Sequence, residues 1–461
     1  MLNPPYSRSE QKMSSTKTLR QKIFQKETAP AFILLLNTFV WYLLIYFTLT
    51  TIFAKPEFGS QSIDLFAVYF LGMAIAAIAG SQIPVRYRLN LLNVWLLLGV
   101  LATFCLTVLS SNDLLLNSLI ITFLGVSIGL GLPSCLSYFA NKASIEKRGL
   151  IGGAIWSLVG ISVLILGLVA STTGAFFVII ILGIWRLAGS MSFIFLNQKP
   201  EIIQVQGSRG QTISFLTLIR KKEILLFLLP WVMFTVINFA EKPMLQHFFG
   251  VNQYSIVEFA EFAFIGIFAF VGGLLADIGG RKRVIIAGFV MLGFEYAILS
   301  VFSSSINTIL ISYVFMTLDG VTWGLLFSVF FTVVWGDLGE HYEKEKFYVL
   351  GGVPLLLANL LAVLITPYAA SISLGGAFTV ASFFLFAAVI PLMYTPETLP
   401  EKALKDRDLK SYLAKAQKIV EKETARKGTS LLREKEPEKE DGVEESNAEY
   451  NEACKLAEKY Y

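Results

Sequence analysis

The chain has 461 residues, 55% of them hydrophobic and 16% charged, with 38 Phe, 17 Tyr and 7 Trp and a mean hydropathy of +0.63. Soluble domains carry about 25% charged residues, and the charge here is crowded to one end: residues 397–461 hold 14 Lys/Arg and 16 Asp/Glu, leaving 42 charged side chains in the first 396. Such a body excludes a cytosolic enzyme, a nucleic-acid binder and a secreted domain, and it points to a polytopic membrane protein.

Residues 1–29 form a basic segment with no short apolar core ahead of a cleavage site, so the first apolar run is expected to act as the insertion signal. Crossing roughly 30 Å of hydrocarbon takes about 20 apolar residues. Windows of that kind lie at 30–53, 63–84, 90–110, 113–139, 150–171, 174–196, 223–245, 255–276, 284–303, 307–333, 349–370 and 375–396. They are too long and too evenly apolar for barrel strands, which predicts an all-α membrane protein of twelve spans. The most polar connection divides them into 30–196 and 223–396, joined by a linker at 197–222 and followed by a charged tail at 397–461. A local echo supports the doubling: Glu146-Lys147 before the fifth span and Glu345-Lys346 before the eleventh are both followed, four residues on, by Gly-Gly.

With the first residues inside, 21 Lys/Arg fall on inner segments before the tail, among them Arg8 to Lys26, Arg86/Arg88, Lys142/Lys147/Arg148, Lys199, Arg209, Arg220 to Lys222, Arg281 to Arg283 and Lys344/Lys346. Only Lys55 falls in an outer loop, so both termini are predicted cytoplasmic in the cell membrane. Cys105, Cys135 and Cys454 imply no disulfide framework. His247 and His341 stand apart without partners at ligand spacing, so no metal is expected. No phosphate-cradling G-x4-G-K-[ST] is present, which leaves no cofactor and makes an ion or solute gradient the energy source.

Between the eighth and ninth spans the chain reads Gly273-Leu274-Leu275-Ala276-Asp277-Ile278-Gly279-Gly280-Arg281-Lys282-Arg283. Gly280 permits a tight reversal, the cations hold the turn in the cytoplasm, and Asp277 can pair with a cation or a helix N-terminus. The segment resembles the inner-loop signature of the major facilitator superfamily, G-x-L-A-D-x-x-G-R-K. The resemblance extends over residues 30–396 through the twelve spans, the doubling and Lys147-Arg148-Gly149. It implies a transporter fold of two six-helix halves that rock about a central site, with Gly273, Asp277, Gly280, Arg281 and Lys282 as the gating turn. Two departures stand out. The corresponding turn at Gly80 to Arg88 has Gln82 where Asp277 stands, implying a weak or absent latch there, and the fifth span lacks the Gly-Pro signature of drug/proton antiporters. Pro396-Glu397-Thr398 resembles a short motif of sugar porters.

Ionisable groups within spans are the default functional candidates. The resemblance implies that spans 1, 4, 7 and 10 line the pathway, which favours Asp319 first and Glu241 second. It leaves Arg186 and Glu295 as structural pairs within their halves. Glu258 and Glu261 share a face, as partners of Lys242 or as functional groups. Trp231, Thr235, Asn238 and Glu241 recur on one side of the seventh span, Asn37 and Trp41 on the first, Asp319 and Trp323 on the tenth, and Asn117, Ser127 and Ser134 on the fourth. Trp rings alternating with amides suit an amphipathic organic solute. The function expected is gradient-driven transport of a small organic solute, with a proton as coupling ion and the bilayer as surroundings. The rival is a receptor or scaffold on the same fold, signalling through the tail. From Glu401 the tail reads as an amphipathic helix bearing Leu409, Tyr412, Leu413, Ile419 and Val420, followed by a solvated mixed-charge run from Arg433 to Glu445.

Overall fold

The computed structural model describes residues 27–59, 61–109, 113–197, 213–303 and 308–401, with 405, 409, 412, 413, 415–420 and 422 of the tail. Arg8 to Lys26, Lys199, Arg209, Cys454 and the run Arg433 to Glu445 lie outside the described residues. Among the described residues, twelve helices are long and apolar enough to span a bilayer: α1 Ala29–Phe53, α2 Gln61–Ser81, α3 Val85–Val108, α4 Leu114–Lys142, α5 Arg148–Ala170, α6 Ala175–Leu196, α7 Lys222–Phe249, α8 Gln253–Gly279, α9 Arg281–Val301, α10 Ile309–Leu338, α11 Lys344–Ser371 and α12 Leu374–Met393. Large apolar side chains such as Ile75, Leu115, Phe177, Val301 and Phe383 stay exposed along them, as a lipid-facing surface requires. The protein is a multi-pass membrane protein.

Turn chemistry places the ends. Asp113 caps α4 by accepting from Leu116 N at 2.9 Å. Gly280, at φ 96°, is the single residue between α8 and α9, and only glycine takes that conformation freely. The end of the bundle where α1 begins, and where the α2–α3, α4–α5, α8–α9 and α10–α11 turns gather, carries Arg88, Arg148, Arg281 and Lys344; it is the basic end.

The first six spans and the last six meet most extensively where α5 packs on α8 and α2 on α11, and also where α4 meets α11 and α5 meets α10. Along α5 and α8 glycines remove the side chains that would hold the backbones apart. A Cβ on Gly153 would lie 2.4 Å from Ala269 O, one on Gly160 2.5 Å from Phe262 O, and one on Gly273 2.1 Å from Gly149 O. In lipid, where apolar burial gives little drive between helices, close approach of this kind supplies the packing. Within the later six, α8 lies against α10 and α9 against α12.

Helix α10 is not uniform. Residues Leu326–Val334 wind as a π-helix, and Thr332 Oγ1 donates to Phe327 O five residues back at 2.8 Å. The wider turn delivers Phe327, Phe330 and Phe331 into the centre of the bundle, against Trp156 and Trp231. Such stretches mark departures from regular packing and often sit at functional positions.

In the tail, the described residues from 412 to 422 are helical, and Leu409, Tyr412, Leu413 and Val420 are exposed.

Candidate functional site

A cavity of about 130 Å³ opens among α1, α5, α7, α8, α10 and α11, with Tyr42, Tyr46, Trp156, Asn238, Lys242, Glu258, Glu261, Asp319, Trp323 and Asn359 in its wall. A second, of about 390 Å³, lies between the ends of α1, α2, α7 and α11 remote from the basic end, and shares Tyr46 and Lys242 with the first. The lining set differs from the expectation for spans 1, 4, 7 and 10. Helix α4 contributes nothing to either wall; its Asn117, Ser127 and Ser134 are buried in packing.

The acid at the centre of the site is Asp319 on α10. Gly320 beside it lets α8 approach, since a Cβ there would meet Phe264 Cβ at 2.6 Å and Glu261 O at 3.1 Å. That approach brings Glu261 of α8 into hydrogen-bonding contact with Asp319, which also contacts Asn238 and Trp323. Two ionised carboxylates offer only acceptors, so a carboxyl–carboxyl contact carries a proton between its members. Both residues are over 90% buried, and Asp319 Oδ1 has no hydrogen-bond partner. Beside them Lys242 Nζ donates to Glu258 Oε1 at 2.5 Å and lies 5.3 Å over the Tyr46 ring.

Below the acids the cavity ends on closely packed rings. Trp156 lies 4.6 Å from Phe327 and 4.7 Å from Phe39, and Trp323 lies 4.6 Å from Phe327. Trp156 Nε1 donates to Thr332 Oγ1 at 2.6 Å, a link between the two halves.

Beneath the rings the basic end is closed by buried charge. Asp337 at the end of α10 accepts from Arg148 of α5 and from Arg281 of α9 at once, and Thr398 Oγ1 donates to it at 3.2 Å. Arg148 Nη2 also donates to Ala140 O at 2.5 Å and to Glu340 at 3.3 Å. Asp277 accepts from Gly149 N at 3.0 Å and Leu150 N at 2.7 Å, capping the start of α5 from the end of α8. Burial would raise the Glu340 carboxyl, but Arg148 and Lys344 beside it outweigh that and hold it below the usual carboxylate range. Glu397 accepts from Arg281 N at 2.9 Å and Lys282 N at 3.2 Å, while Lys282 Nζ donates to Met393 O and Thr395 O. The Pro-Glu-Thr segment therefore anchors the start of α9.

Of the residues singled out from sequence, Asp319, Asn238 and Trp323 come together at the cavity, and Gly273, Asp277, Gly280, Arg281 and Lys282 gather at the seam. Others lie elsewhere. Trp231 is fully buried one layer nearer the basic end, donating to Gly351 O at 2.6 Å. Asn37 and Trp41 face α6: Arg186 donates to Asn37 and Thr38 at 3.0 Å each, and its guanidinium lies 4.3 Å over Trp41 and 4.6 Å over Trp95. Arg186 therefore has indole faces instead of the expected ionic partner. Glu295 has no ionic partner either; neither of its carboxyl oxygens has a hydrogen-bond partner, and its titratable neighbours are the acids Asp319 and Glu261. Glu241 is buried behind the wall with Oε2 unpartnered.

Two groups were missed. Asp337 sits in Trp335-Gly336-Asp337, an apolar helix end that gives no local hint of two arginines reaching it from α5 and α9. The α2–α3 turn, expected to hold at most a weak latch without an acid at Gln82, does cross between the halves: Arg88 pairs with Glu345 at 2.9 Å. The acid comes from the other half, inside the Glu-Lys-x4-Gly-Gly echo.

No family model matches the chain, and no curated protein matches it. Solved structures do. The human organic anion transporter MFSD10 (TETRAN) aligns with a TM-score of 0.61 at 13% identity, over 80% of this chain and 99% of its own. A bacterial homologue of the iron transporter ferroportin in an outward-facing state gives 0.60 at 12% identity, over 80% and 98%. The proton:xylose symporter XylE bound to 6-bromo-6-deoxy-D-glucose, a major facilitator superfamily protein, gives 0.55 at 15% identity, over 81% and 96%. With its twelve spans in two sets of six and a cavity between them, this chain has the fold of the major facilitator superfamily.

Proposed function

We propose that the protein is a secondary active transporter that moves a small organic solute through this cavity by alternating access, coupled to protons. The two halves, residues 30–196 and 223–396, rock about the cavity, with the basic end and both termini in the cytoplasm and the spans in the cell membrane. Among the structural neighbours one is described as a proton:xylose symporter and another as an organic anion transporter. The three differ in cargo, so the reading of this chain's site rests on its own residues.

The observation that carries the reading is the contact between Asp319 and Glu261 in the wall of a cavity closed at one end and enlarged toward the other. A proton held between two carboxyls is available for exchange when the surroundings change from buried to wet. Asn238 and Trp323 lie beside Asp319 in the wall, and the carboxyls of Glu241 and Glu295 are buried behind it. Asn37, Trp41 and Trp231 stiffen the helices around the site. The turn from Gly273 to Lys282 fastens the closed basic end.

Purified protein in liposomes, under a pH gradient of either sign, tests this with a mixed pool of labelled amines, sugars and organic acids read by mass spectrometry. At least one solute should accumulate and be lost on adding a protonophore. Asp319→Asn should abolish accumulation. Binding without flux would return the receptor reading, and unaltered accumulation in Asp319→Asn would remove that residue from coupling.

A further inference from the structure

We propose that the cavity takes an organic monocation of the arylalkylammonium class, which occupies the Asp319–Glu261 pair in exchange for its proton. This rests on reading the cavity as the transport site.

Charge decides first. The wall contains Glu258, Glu261 and Asp319 against one cation, Lys242, and that cation is already engaged by Glu258 at 2.5 Å. What remains for a solute is the carboxyl pair. An anion entering would meet two acids and a lysine already paired; a cation would meet its counter-charge. Hydrogen bonding points the same way. Asp319 Oδ1 is buried in the wall with no donor, and an ammonium brings donors together with the charge that lets both carboxyls ionise.

Ring faces then select the body of the ligand. Tyr42, Tyr46, Phe47, Trp156, Trp323 and Phe327 all border the cavity, and aromatic faces attract cations and apolar rings alike. The cavity of about 130 Å³ admits the charged end beside Asp319. The adjoining space of about 390 Å³, shared at Tyr46 and Lys242, admits the remainder; together they reach the range of small-molecule sites, roughly 300–1,000 Å³.

The exchange balances without covalent chemistry. Before binding, one proton is shared by Asp319 and Glu261. After binding, the ammonium lies between two carboxylates and the proton has passed to water in the adjoining cavity. Cation and proton exclude each other, so they move in opposite directions. The titratable groups around the pair are Glu258 and Tyr254 on α8, Glu295 and Tyr296 on α9, and Lys242 on α7, with Glu241 of α7 acting on Tyr296. None of them faces Asp319 as a free cation.

The test uses the full chain and three isosteres, 2-phenylethylamine, 2-phenylethanol and 3-phenylpropionate, titrated calorimetrically in buffers of different ionisation enthalpy. The amine should bind at least about tenfold tighter than the alcohol and release about one proton, the one shared by the carboxyl pair. Asp319→Asn should weaken amine binding by at least about tenfold and abolish the release. Glu261→Gln should do the same, and serves if the first variant does not fold. Tighter binding of the propionate, or amine binding without proton release, would overturn the proposal. Gradient-driven accumulation of some other solute with no binding of the amine would overturn the substrate class and leave the transporter reading standing. Amine binding with proton release but no flux of any solute would sustain the site and sink transport.

Discussion

At the scale of single residues, the closed end depends on one carboxylate shared by two arginines. Asp337, Arg148 and Arg281 are all buried, and removing one partner from such a cluster costs about 3–5 kcal/mol because the charges left behind stay out of water. Asp337→Asn should therefore disfavour the closed basic end. A cysteine replacing buried Ser328, in a chain freed of Cys105, Cys135 and Cys454, should become reactive to a maleimide from that side in the variant and remain protected otherwise. Equal protection in both would mean that the cluster does not hold the end shut. Sequence found one side of this cluster and not the other. Arg281 lies in a recognisable turn, whereas Asp337 is 189 residues from Arg148, and no local pattern encodes a contact of that span. The same limit applies to Asn37 and Trp41. A helical repeat shows that residues share a face, but not which way the face turns, and one position along α1 turns it by about 100°. Tyr42 and Tyr46 meet the cavity, while Trp41 meets Arg186.

At the scale of elements, every span foreseen from apolar length is present, with ends moved by a few residues, because hydrocarbon thickness sets helix length directly. Less legible was the seam between α5 and α8. Its glycines are visible in the sequence, yet only the packed pair shows that Gly153 and Gly273 lie against backbone carbonyls. Gly153→Val should force the helices apart at an overpacking cost of about 1–3 kcal/mol, read as a lower melting temperature and lost flux. Gly174→Ala, where an added Cβ meets nothing within 4 Å, should change neither. A Gly153→Val protein with normal stability and flux would show that the close approach is dispensable. The π-helical stretch of α10 was also beyond sequence reading, since Leu326 to Val334 has the apolar composition of any span.

At the scale of the whole molecule, the orientation proposed from the basic loops makes a direct expectation. Single cysteines at Glu57 and Thr173, both exposed and remote from the basic end, should react with an impermeant reagent in intact cells. Cysteines at exposed Gln82 and Ser144 should react only after the membrane is opened; the reverse pattern would invert the protein. The seam itself is assembled so that its parts can part cleanly. If the halves separate there, Asp337 keeps Arg281 of its own half and Thr398 of the segment just after it, and Asp277 keeps Arg281 at 3.9 Å. Arg148 keeps the carbonyls of Ala140 and Ala143. Around Asp337 each face thus keeps partners of its own, while Arg148, and Arg88 on parting from Glu345, emerge where water enters. A fastening of this kind can open and re-form many times, because each side is already a finished surface before the other arrives.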